Sequence, residues 1–157
     1  MEKIKIVPLI VSFAIVILVA FLGSLFTGPN TNTDWYQDIK PSITTPPNYV
    51  FPIAWTILFV LIAVSLYLAW VNAEKEQKRN IALFYGINLF LNILWSFLFF
   101  GMRNPTLAFA EILLFLISIF FMIATARKTS KASAWLLVPY LLWVAFASLL
   151  NYLAMFA

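Results

Sequence analysis

Five apolar stretches fill this chain: Ile6–Phe26, Tyr49–Val71, Ile81–Gly101, Pro105–Ala126 and Ala134–Phe156. Each is about 20 residues long, which as a helix crosses a hydrocarbon core of about 30 Å. No water reaches the peptide groups there, so a spanning backbone must bond to itself. The pattern predicts an all-α integral membrane protein, a five-transmembrane-helix bundle. What remains is short turns and one long connection, loop 1, over Thr27–Asn48. A loop of that length in a compact domain is often a lid or binding loop.

The polar and aromatic breaks in the stretches are the next clue. In the third, Asn88, Asn92 and Ser96 recur every four residues and share one helical face, with Trp95 and Phe99 beside them. An amide facing lipid is costly, so both asparagines are expected to point into the bundle, as glue between helices or as contacts to a ligand. The fifth stretch repeats the spacing with Pro139, Trp143, Ala147 and Asn151. Trp55 and Trp95 lie about one to two turns inside the outer ends of their spans, and Trp143 nearer the middle of its own. Three such indoles could converge on an apolar, flat-walled pocket, with ordinary core packing as the alternative. Trp35, Trp70 and Trp135 suit the membrane interface.

Glu111 is a carboxylate at depth. The spans hold no Lys, Arg or His to form a relay with it, so it is expected to lean outward or, protonated, to bond across an interface. In loop 1, Thr33 or Asp34 could cap a short helical turn that lays Trp35 and Tyr36 at the interface. Asp34, Asp38 and Lys40 read as solvated charges. The third connection is so short that the third and fourth spans must be antiparallel neighbours.

Composition agrees with a membrane chain: 64% of the 157 residues are hydrophobic and 10% charged, against about 25% charged in soluble domains. Residues 1–157 read as a single membrane domain with no soluble module. If all five stretches cross, the N-terminus, loop 2 and loop 4 share one side and carry Lys3, Lys5, Lys75, Lys78, Arg79, Arg127, Lys128 and Lys131. The other side has only Lys40 and Arg103. The positive-inside rule places the N-terminus in the cytoplasm and the C-terminus outside. The short loops and this bias suit a prokaryotic plasma membrane. The first stretch is too long for a signal h-region and no A-x-A-like site follows, so it is expected to be retained. The net charge of +4 is spread over span ends and gives no nucleic-acid signal. The absence of Cys and His removes thiol chemistry, disulfides, the usual general base and the usual haem and metal ligands. No metal site is expected, and no standard catalytic motif is present.

The motifs Trp35-Tyr36, Lys40-Pro41, Pro46-Pro47-Asn48-Tyr49-Val50-Phe51-Pro52 and Trp55-Thr56-Ile57-Leu58 resemble the loop 1 to helix 2 signature of the translocator protein family (TspO/MBR, also called tryptophan-rich sensory or peripheral-type benzodiazepine receptor proteins). Asn92-Ile93-Leu94-Trp95-Ser96 with Phe99-Phe100-Gly101 is similar to its third-helix motif. Pro139-Tyr140-Leu141-Leu142-Trp143, Phe146-Ala147 and Leu150-Asn151-Tyr152 are similar to its last-helix motif. The resemblance runs from Trp35 to Tyr152.

The resemblance implies a five-helix bundle, often a homodimer, with a pocket closed by loop 1 that binds porphyrins and, in members, cholesterol and benzodiazepine-type ligands. Carried over by motif, Tyr36, Pro46, Trp55, Asn92, Trp95, Phe99, Trp143 and Ala147 would bind ligand. The implied function is a membrane receptor for tetrapyrroles such as protoporphyrin IX, which stack on indole and phenyl rings. No cofactor is required, and the lack of His favours the free base over haem. Two alternatives stay open: a tetrapyrrole or sterol transporter, and a light- and oxygen-dependent porphyrin-degrading enzyme with Trp55 and Trp143 as electron-rich catalytic neighbours. The Lys40–Pro47 stretch has one residue more than the family spacing and lacks an aromatic often found there. After Tyr152 no Lys or Arg follows, so specific cholesterol binding is not expected.

Overall fold

A computed structural model describes residues 3–157. Its helices are α1 (Ile6–Asn30), α2 (Asp34–Ile39), α3 (Val50–Val71), α4 (Lys75–Ser96), α5 (Pro105–Arg127), α6 (Lys131–Leu136) and α7 (Val138–Ala154), with a π-helical turn at Phe97–Gly101 continuing α4. There is no strand among the described residues. Five spans are long and apolar enough to cross a membrane: α1, α3, α4 with its π turn, α5, and α6 with α7.

The spans close into a ring. α1 lies between α3 and α4, α5 between α4 and α7, and α6 and α7 return to α3. Ile62, Ile81, Ile112, Phe115, Ile119 and Val144 fill the interior. Large apolar residues such as Leu18, Phe21, Phe90, Leu114, Phe120 and Leu142 cover the outside. In lipid that outer face carries no hydrophobic penalty, so the helices are held by close packing and buried hydrogen bonds. One such knot joins three helices. Ser65 Oγ of α3 lies 2.6 Å from the Tyr85 hydroxyl of α4 and 2.9 Å from Ser133 Oγ of α6, and Ser133 donates to the Ser65 carbonyl at 2.7 Å.

Several helix ends differ from the hydropathy bounds, each for a local reason. α1 runs past Phe26 to Asn30, through Gly28 and Pro29. The residue before a proline resists helical geometry, but Gly28 has no Cβ to clash. Asn30 Nδ2 bonds the Phe26 carbonyl at 2.6 Å and Thr27 Oγ1 the Gly23 carbonyl at 3.2 Å. Thr33 does cap α2, accepting from the Tyr36 amide at 3.4 Å. α4 starts at Lys75, before the apolar stretch, because Gln77 Oε1 reaches back to the Glu74 amide at 2.9 Å. The fifth span breaks at Leu137, where Pro139 has no N–H to continue the ladder.

The π turn places the site. Met102 N–H bonds the Phe97 carbonyl at 2.8 Å, five residues back. Widening the turn by one residue lets Leu98, Phe99 and Phe100 all face inward, and all three are buried. The chain then reverses through Arg103 at φ 52°, a left-handed conformation uncommon for a side-chain-bearing residue. Asn104 Oδ1 caps α5 by accepting from the Leu107 amide at 3.0 Å.

Candidate functional site

A cavity of about 360 Å³ opens between α1, α3, α4 and α7, beneath loop 1. Trp55 and Phe59 form its α3 wall, Asn92, Trp95, Ser96 and Phe99 its α4 wall, and Ala147, Leu150 and Asn151 its α7 wall. α1 brings Ala20, Gly23, Ser24 and Thr27, which are small and leave room. Tyr36, Lys40, Pro41 and Thr45 close it from loop 1. The volume lies within the usual range of small-molecule sites, and the lining is apolar with a few convergent polar groups, as such sites are built.

The aromatic walls are locked by one another. Trp95 stacks on Phe99 with centroids 5.1 Å apart and planes at 25°, and Phe99 meets Phe100 edge-on at 4.8 Å. Loop 1 docks onto this pair. Tyr36 packs on Phe100 at 5.4 Å, Trp35 packs edge-on against Phe99 at 5.8 Å, and the Arg103 guanidinium sits 5.7 Å from the Trp35 ring centre. Burial raises the Tyr36 hydroxyl above its ordinary value of 10.0, so it is neutral at physiological pH.

Behind the walls run two hydrogen-bonded chains. Trp95 Nε1 donates to Asn151 Oδ1 at 2.9 Å, and Asn151 Nδ2 donates to the Pro105 carbonyl at 2.8 Å. Asn92 Nδ2 donates to the Tyr140 hydroxyl at 3.0 Å, Tyr140 to Asn88 Oδ1 at 2.9 Å, and Asn88 Nδ2 to Ser118 Oγ at 3.0 Å. Asn88 is therefore interhelical glue, and Asn92 is both glue and cavity wall.

The sequence is matched by the TspO/MBR family model over residues 12–156. The chain belongs to the TspO/MBR family. A Tryptophan-rich protein TspO of Archaeoglobus fulgidus is 41% identical over 148 residues, covering 94% of this chain and 95% of its own. A Tryptophan-rich sensory protein of Cereibacter sphaeroides is 34% identical, covering 78% and 75%. The Translocator protein of Ovis aries is 36% identical, covering 75% and 71%. The chain is thus a multi-pass integral membrane protein of the TspO/MBR family.

Within this TspO/MBR bundle, six of the eight residues named from sequence stand on the cavity wall: Tyr36, Trp55, Asn92, Trp95, Phe99 and Ala147. Pro46 and Trp143 do not. Loop 1 turns at Pro41, whose carbonyl accepts from the Thr45 amide at 3.1 Å, and Thr45 rather than Pro46 meets the cavity. Trp143 packs behind Trp55, edge-on at 6.5 Å, and against Phe51 at 5.9 Å, with its Nε1 buried and unpartnered among the described residues. Its indole is therefore not one of three facing a common chamber. Glu111 also departs from expectation. It neither leans outward nor bonds across an interface: it is buried, and both carboxylate oxygens lack a protein partner. The α1 contribution leaves no sequence signal of its own, because small residues in an apolar helix do not say which side they face.

Proposed function

We propose that this protein is a membrane receptor for tetrapyrroles, protoporphyrin IX among them, and for related flat hydrophobic ligands, which enter the bundle beneath loop 1. One observation carries the reading: Trp55, Trp95 and Phe99 wall an apolar cavity whose loop side holds the cation Lys40. A macrocycle offers apolar faces to the rings, and its propionates are matched by Lys40. The names of the relatives, a sensory protein and a translocator protein, fit ligand sensing or ligand movement. The charge distribution puts Lys40 and loop 1 on the outer side with the N-terminus in the cytoplasm. Homodimerisation, implied by the resemblance, belongs to the same proposal and is read by cross-linking in detergent.

The test is tryptophan quenching by protoporphyrin IX in detergent, on the natural chain and on the Trp55→Phe/Trp95→Phe double variant. Binding is expected to weaken by about tenfold or more in the double variant, since each indole contributes an aromatic contact. Unchanged affinity would remove the cavity as the site. Flux of the porphyrin across sealed proteoliposomes would identify a transporter instead.

A further inference from the structure

The hydrogen-bonded chain behind the cavity has a direction, set by its last member. The Phe115 carbonyl can only accept, so the Ser118 hydroxyl donates to it, at 2.6 Å. A serine hydroxyl has one hydrogen, so Ser118 Oγ can only accept from Asn88, whose Nδ2 is 3.0 Å away. Asn88 then turns Oδ1 to Tyr140, which donates its single hydroxyl hydrogen at 2.9 Å. The Tyr140 oxygen is left to accept from Asn92 Nδ2 at 3.0 Å. Reversing Asn88 would set its N–H against the Tyr140 O–H and its oxygen against Ser118 Oγ, and reversing Asn92 would set its oxygen against the Tyr140 oxygen. Asn88 and Tyr140 are fully buried, so bulk water cannot rescue a reversed amide.

Asn92 stands at the head of this chain and on the cavity wall. Its Oδ1 meets no donor among the described residues and is not sealed inside the protein. The other amide on the wall, Asn151, has its oxygen engaged by Trp95 and its Nδ2 by Pro105. We infer that Ser118, Asn88 and Tyr140 are positioning residues that fix Asn92 as an acceptor in the cavity wall, so that the site selects flat apolar ligands carrying an N–H donor on their rim. The inference rests on the reading that the cavity is the ligand site, and it narrows the ligand class. Pyrrolic and indolic edges satisfy Oδ1. A ring oxygen in the same place sets lone pair against lone pair and leaves a buried acceptor unpaired. A closed porphyrin keeps its N–H groups inside the macrocycle, so the preference acts on ligands whose N–H reaches the edge.

Carbazole, fluorene and dibenzofuran share one tricyclic shape and differ at a single edge position, which is N–H, CH₂ or O. The full chain in detergent is titrated with each, with affinities corrected for partition into protein-free micelles. Protoporphyrin IX is titrated in parallel. Carbazole is expected to bind about tenfold more tightly than dibenzofuran, the size of one hydrogen bond made against one left unmade. Asn92→Leu brings that ratio to within about twofold. Ser118→Ala, away from the cavity wall, also lowers the ratio because Asn92 is then free to turn. A purely structural role for Ser118 would weaken all three ligands together and leave the ratio unmoved. Should Ser118→Ala not fold, Tyr140→Phe frees Asn92 equally and is read the same way. The inference is overturned if dibenzofuran matches carbazole on the natural chain, or if the ratio survives release of Asn92. If protoporphyrin binds while the ratio is near one, the relay alone falls. If neither porphyrin nor any tricycle binds, the cavity reading falls and takes the relay with it.

Discussion

Asn151 holds Trp95 from behind, accepting its indole N–H at 2.9 Å while donating to the Pro105 carbonyl at 2.8 Å. One side chain on α7 thereby orients a ring of α4 and pins the start of α5. Trp95 is left with one face on Phe99 and a place in the cavity wall. Replacing Asn151 by Ala breaks both bonds. At roughly 0.6 kcal/mol per interhelical bond in a membrane protein, the expected loss is about 1 kcal/mol, read as a lowered unfolding midpoint in detergent. The near-ultraviolet dichroism of the freed indole should weaken too. An unchanged midpoint and spectrum would mean that Trp95 is held by stacking alone.

Glu111 gives an effect of opposite sign. Its carboxyl group is buried without a protein partner, and an unmet buried polar group costs about 1–3 kcal/mol. Glu111→Leu is therefore expected to raise stability by about that amount. Glu111→Gln should be close to neutral, since an amide needs partners as much as an acid does. Unfolding of the three proteins in mixed micelles measures this. Marked destabilisation by leucine would show that the acid makes a bond in the working protein, to water or to ligand.

How much of this was legible in the sequence depends on which physical signal each feature leaves. The five spans were legible because hydrocarbon demands long apolar runs. The helix ends were less so, because caps such as the Glu74–Gln77 pair lie outside the apolar stretch. The π turn at Phe97–Gly101 leaves no composition signal. Azimuth is the subtlest case. Residues four apart drift by about 40° around a helix. Ala147 and Asn151 reach the cavity, but one step earlier Trp143 has turned toward Phe51 and Trp55. The same drift leaves Asn92 and Ser96 on the wall and rotates Asn88 away to Ser118 and Tyr140. Spacing gave the stripe correctly but not the point at which it leaves the cavity.

The closure of loop 1 should depend on alkaline pH through Tyr36. Burial raises this phenol above 10.0, so the docked loop holds its proton more tightly than the undocked loop. Docking is then at full strength below pH 10 and weakens as pH rises from there through the raised value. The chain has no Cys, and Ile43 at the loop surface is 96% exposed, so Ile43→Cys takes a single spin label. Label mobility is expected to increase above pH 10 and to lose that step in a Tyr36→Phe background. The same step in both would place the titrating group elsewhere.

Trp55 and Trp143 meet edge-on at 6.5 Å with planes at 87°, yet only Trp55 reaches the cavity. Their substitutions should therefore part company. Trp55→Phe shortens a ring in direct reach of a bound macrocycle, and the loss of part of an aromatic contact predicts binding weaker by about 3–10-fold. Trp143→Phe removes an indole N–H that has no protein partner among the described residues, so it forfeits no hydrogen bond and should change affinity by less than about twofold. Protoporphyrin titrations followed by the remaining tryptophans compare the two. A larger loss from Trp143→Phe than from Trp55→Phe would place the ligand against Trp143, which lies off the cavity wall, and leave the cavity beneath loop 1 without its occupant.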